Sequence, residues 1–109
     1  MKNTFNTVVS HRAMVVISEG AVMPSNLSFE LEFAVFRNGS YQILAYYDLT
    51  LTAEQAKKLT SPTDIALGSI SIAGQYANKY GVDIDRIIIR TTENKTEQFA
   101  SIGFLATAV

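Results

Sequence analysis

Apolar and polar residues alternate on both sides of Arg37-Asn38-Gly39, and this restricts residues 27–51 to a long β-hairpin. Leu27, Phe29, Leu31, Phe33 and Val35 are apolar at every second position before the turn. Tyr41, Ile43, Ala45, Tyr47, Leu49 and Leu51 repeat the pattern after it. A period of two puts each set on one face of its strand. The length of the loop then decides whether the two sets share a face. A two-residue Asn38-Gly39 turn pairs Val35 with Gln42 and sets the apolar rows on opposite faces. A three-residue Arg37-Asn38-Gly39 loop pairs Val35 with Tyr41, Phe33 with Ile43, Leu31 with Ala45 and Phe29 with Tyr47. The pattern therefore predicts the longer loop, with Gly39 in the left-handed conformation. On the reverse face that register sets Glu32 opposite Leu44, Glu30 opposite Tyr46, Ser28 opposite Asp48 and Ala34 opposite Gln42.

Elsewhere the punctuation is also legible. Residues 4–18, rich in Val and Ile, read as a first strand, ended by Glu19-Gly20. Thr52-Ala53-Glu54-Gln55 is a capping box opening a helix of about two turns. Ser61 caps a second helix whose first position is Pro62. Its stripe is Ile65, Ala66, Ile70, Ile72, Ala73, Tyr76, Ala77 and Tyr80, and Gly81 terminates it. Gly68 and Gly74 within it suggest close packing on the sheet. Residues 84–92 form a fourth strand, and Ile87-Ile88-Ile89 implies that both its faces are covered. Residues 98–109 form a fifth, with Ala100, Ile102, Phe104, Ala106 and Ala108 on one face and Gly103 marking a bulge or a close approach. Strands β-β-β, two helices, then β-β describe an α+β protein. We expect a single domain over residues 1–109: a mainly antiparallel five-stranded sheet with two consecutive helices packed on one face.

Composition narrows the chemistry. The chain has 109 residues, no cysteine and one histidine. Disulfide staples, thiolate chemistry and the usual Cys/His zinc sites are excluded. A formal net charge of −1 supplies no basic field for nucleic acid. No apolar run reaches the roughly 18 residues that span a bilayer, and Met1–Asn6 lacks the core of a signal peptide. A cytoplasmic protein of bacterial or phage type, with no membrane association, is expected.

Catalytic motifs are missing: there is no phosphate loop, nucleophile elbow or H-E-x-x-H. His11 beside Arg12 is a lone potential base. Asp83 and Asp85 share a face at the entry to the fourth strand, yet two carboxylates fall short of the six to eight oxygens calcium takes. Arg86 and Arg90 flank Ile88 on one face, where cross-strand pairing with Glu97 or other acids competes with phosphate binding. No catalytic residue, metal or cofactor is assigned.

What remains is a mixed acidic and aromatic strip on the outer face of the hairpin: Glu30, Glu32, Phe36, Leu44, Tyr46 and Asp48. Such a strip suits a basic, partly apolar protein surface. The expected function is a non-enzymatic protein-interaction module, an inhibitor or adaptor of a larger macromolecule, with those residues as the contact. The alternative is a self-assembling homo-oligomer. It would pair through an exposed edge of the last strand, using Gly103, Leu105 and Val109. A third class is a ligand pocket between sheet and helices, with Tyr76 and Tyr80 as polar handles.

Overall fold

The computed structural model describes residues 13–104, so His11, Leu105, Val109 and the outer parts of the first and last expected strands lie outside it. The elements run β1 (Ala13–Ile17), β2 (Ser28–Arg37), β3 (Ser40–Thr50), α1 (Ala53–Lys58), α2 (Pro62–Tyr80), β4 (Arg86–Thr91) and β5 (Ala100–Phe104). The expected α+β class is correct: one five-stranded sheet, with every neighbouring pair antiparallel, in the order β1-β5-β4-β2-β3.

Both helix starts follow from their caps. The Gln55 amide donates to the Thr52 hydroxyl at 3.2 Å, and the Thr52 amide donates to the Gln55 side-chain oxygen at 3.0 Å. Ser61 Oγ accepts from the Asp64 amide at 3.2 Å. Helix α2 lies closest to β1, β4 and β5, and buries Ile65, Ala66, Ser69, Ala73, Gly74 and Ala77. Ser69 enters this apolar seam because its hydroxyl donates to the Ile65 carbonyl at 2.8 Å. Over β2 and β3, ring contacts bridge helix and sheet: Phe33 lies 5.3 Å from Tyr76, which lies 4.6 Å from Tyr80. Tyr76, expected as a polar handle, thus packs its ring between Phe33 and Tyr80, and Tyr80 extends to solvent.

The hairpin register differs from the expected one. Arg37 pairs with Ser40, so the turn has two residues, Asn38 and Gly39. Their φ angles of 53° and 83° give the doubly left-handed turn that matches strand twist. Phe36 then pairs with Tyr41, Val35 with Gln42 and Ala34 with Ile43. The ladder next breaks and resumes with Phe33 opposite Ala45. Leu44 is the extra residue of a β-bulge. The loop was expected to reconcile the two apolar rows, but the bulge does so. Beyond it Ala45, Tyr47 and Leu49 join Phe33, Leu31 and Phe29 on the helix side. Before it Tyr41 and Ile43 fall on the opposite side. The outer pairs change accordingly: Glu32 faces Tyr46, Glu30 faces Asp48 and Ser28 faces Thr50.

Three further expectations are corrected. β5 is not an edge, since β1 and β4 flank it, and Gly103 pairs with Met14 on one side and Arg86 on the other. Among the described strands the edges are β1 and β3. Gly103 marks neither a bulge nor a close approach: the ladder is regular there, and a Cβ added at Gly103 meets nothing within 4 Å. Gly68 likewise is not pressed on the sheet, because an added Cβ meets only the Leu59 side chain, at 3.6 Å.

Candidate functional site: the open face of the sheet

Directly paired residues of antiparallel strands share a face, so the registers map the side opposite the helices row by row. One row across all five strands reads Met14, Gly103, Arg86, Ala34, Ile43. The next reads Val16, Ser101, Ile88, Glu32, Tyr46. A third holds Arg90, Glu30 and Asp48. The pair Phe36–Tyr41 extends the face beyond the end of β4.

Among the described residues no layer covers this face, yet it carries many apolar side chains. Met14, Val16, Phe36, Tyr41, Ile43 and Tyr46 lie on it and are between 43% and 58% exposed. Tyr47 alone among the exposed large apolar residues of the sheet lies on the other side. Each side chain has a local cause. Phe36 and Tyr41 meet edge to face at 5.1 Å across the non-helical end of the hairpin. Ile43 is turned outward by the bulge, and Met14 and Val16 alternate out of β1 against Val15 and Ile17, which pack on the core.

The polar groups between them are already engaged with one another. Glu32 lies between two arginines, 3.2 Å from Arg90 and 3.7 Å from Arg86. Glu30 lies 3.6 Å from Lys95, which reaches back from the β4–β5 turn. The guanidinium of Arg86 also stacks over Tyr41, 4.0 Å from the ring centre. Ile88, between Arg86 and Arg90 on β4 and opposite Glu32, is 3% exposed despite facing away from the helices. The expected pairing of the arginines with acids is present, with Glu32 as the acid and not Glu97, which accepts from Asn94. Arg86 Nε is buried without a hydrogen-bond partner, an arrangement held by the stacking and the ion pair around it.

Of the six expected contact residues, Glu30, Glu32, Phe36, Tyr46 and Asp48 do share this face. Leu44 does not: as the bulge residue it is half-buried and packs against the core. Tyr41 and Ile43 belong to the face and were assigned to the core, because the bulge that moves them leaves no mark in the alternation. Met14 and Val16 were missed because the first strand alternates poorly. The acidic character expected of the strip is also absent. Among the described residues three acids, Glu30, Glu32 and Asp48, share the surface with three bases, Arg86, Arg90 and Lys95, and their formal charges cancel.

Other candidates are weaker. Asp85 is structural: its carboxylate accepts from the Phe36 amide at 2.8 Å, and its backbone bonds Ala34 and Phe104. Among the described residues no group of three or more His, Asp or Glu side chains is placed to hold a metal ion. A shallow cleft of about 290 Å³ separates the loop Ser18–Ser25 from the β4–β5 turn. Ser25 and Glu93 bridge one end of it, at 3.0 Å. No helix among the described residues is long and apolar enough to cross a membrane.

Comparison with protein-family models, with curated proteins and with solved structures finds no significant match to this chain.

Proposed function

We propose that the protein is a non-enzymatic interaction module of inhibitor or adaptor type, acting inside a cell, and that it docks another protein on the open face of its sheet. One observation carries this: six large apolar side chains stand half-exposed on a single uncovered face. Full burial of such a side chain is worth roughly 1.5–3 kcal/mol, so covering the remaining half recovers about 1 kcal/mol at each position. Isolated exposed apolar residues are ordinary, whereas groups of them at both edges of one face, Met14 with Val16 on β1 and Phe36, Tyr41, Ile43 and Tyr46 on the hairpin, suit an interaction surface. The charged groups of the face are paired internally and converge on no common point, which suits contact rather than chemistry. Their zero balance also revises the partner, from a basic surface to an apolar one.

The test compares two baits. Tyr46→Lys puts a cation beside Glu32 and Asp48, where the fold tolerates it, in the middle of the apolar edge. Immobilised wild-type protein retains a defined protein from an extract of the source cells, and the Tyr46→Lys bait loses it at an unchanged melting temperature. Equal recovery of the same proteins by both baits removes this face as the contact.

A further inference from the structure

We infer that a second copy of this chain packs sheet against sheet on the open face; this rests on the docking role just proposed for that face and sets self-pairing in competition with any other partner there. Width is the first reason. The exposed apolar residues sit at both edges, Met14 and Val16 on β1 and Ile43 and Tyr46 on β3, with three strands between them. Four strand spacings of about 4.8 Å separate those edges by roughly 19 Å. A single helix, about 10 Å across, covers half of that, and a second five-stranded sheet covers all of it.

Area is the second. Aromatic side chains bury 150–250 Å² each, so half-exposed Phe36, Tyr41 and Tyr46 offer roughly 100 Å² apiece, and the half-exposed aliphatic Met14, Val16 and Ile43 add at most about the same. Face to face, two copies then bury at most roughly 1,200 Å² in total, the lower bound for a stable specific interface. Charge is the third. A two-fold interface brings one patch against itself, so a patch with net charge repels its own copy. Among the described residues Glu30, Glu32 and Asp48 balance Arg86, Arg90 and Lys95, so no net like-charge repulsion opposes the pairing.

A dimer held by so small an interface is expected to dissociate on dilution from about 100 µM protein. Light scattering over a dilution series reads it directly. The wild type is expected to fall from twice 12.0 kDa toward 12.0 kDa on dilution. Val16→Lys and Tyr46→Lys, at opposite edges of the face, are each expected to hold the mass at 12.0 kDa with the melting transition retained. Leu67→Lys, exposed on the outer side of α2, is expected to dimerise like the wild type. Dissociation by Tyr46→Lys but not by Val16→Lys means pairing along the β3 edge and overturns the sheet-on-sheet arrangement. Dissociation by Leu67→Lys moves the contact to the helical side and overturns it too. A wild type that stays at 12.0 kDa at every concentration rules out the second copy, while the docking role stands or falls separately on the bait comparison.

Discussion

Deleting Leu44 is the sharpest test of the hairpin described above. If Leu44 is the extra residue of a bulge, its removal joins Ile43 directly to Ala45. Ile43 keeps Ala34 as partner and Ala45 keeps Phe33, so the ladder becomes regular without moving any other pair. Only the packing of Leu44 is lost. That side chain is half-buried against the core, so its contribution is about 1 kcal/mol, half of what full burial provides. Leu44→Ala, which keeps the bulge and removes most of the side chain, isolates this term. Urea unfolding of the two variants and the wild type should give losses of about 1 kcal/mol for both, equivalent to a melting shift of roughly 4–8 °C, with one common denaturant slope. A strand without a bulge behaves differently: deletion sends half of its side chains to the wrong face. A deletion that costs over about 3 kcal/mol more than Leu44→Ala, or that abolishes the cooperative transition, refutes the bulge.

Two further predictions address the helix and the ion network. Gly68→Ala should stabilise the fold by about 0.5–1 kcal/mol in thermal unfolding, because the helix interior favours Ala and the added methyl only meets Leu59 at an ordinary distance; a loss of stability would mean that the seam is tighter than this. Glu32→Ala strips both arginines of their acid, and since Arg86 and Arg90 remain 33% and 23% exposed, the cost should be about 1–2 kcal/mol, below the 3–5 kcal/mol of a fully buried pair, as read by urea unfolding.

The elements of this fold are legible in the sequence wherever one local rule decides them. Thr52 with Gln55 and Ser61 with Pro62 specify helix starts without reference to the rest of the chain. The triple isoleucine of β4 predicts burial on both faces, and Ile87, Ile88 and Ile89 are all buried, although no second layer among the described residues lies over Ile88. Strand order is different in kind. That β5 is enclosed by β1 depends on a contact between distant segments, which no local pattern encodes. The candidate site was legible by halves for a similar reason. Glu30, Glu32 and Tyr46 follow from the alternation of their strands, and either turn leaves them on the reverse face. Tyr41 and Ile43 depend on a bulge, and a bulge shifts the face while leaving the alternating text intact. The charge of the site was misjudged because Arg86, Arg90 and Lys95 come from strand and turn residues more than 30 positions further along the chain.

The strand order also sets a timetable. β1 pairs with β5, and Ala13 meets Phe104 across 104 − 13 = 91 positions. The hairpin of β2 and β3 can close as soon as it leaves the ribosome, but β1 has to wait for the far end of the sheet. At 5–20 residues per second, that wait lasts roughly 5–20 s. During it the segment Met14-Val15-Val16-Ile17 has its apolar side chains and hydrogen-bonding groups unmatched by β5. The earliest of these strands to be made is therefore the last to be secured, and it is the part of the nascent chain most in need of protection.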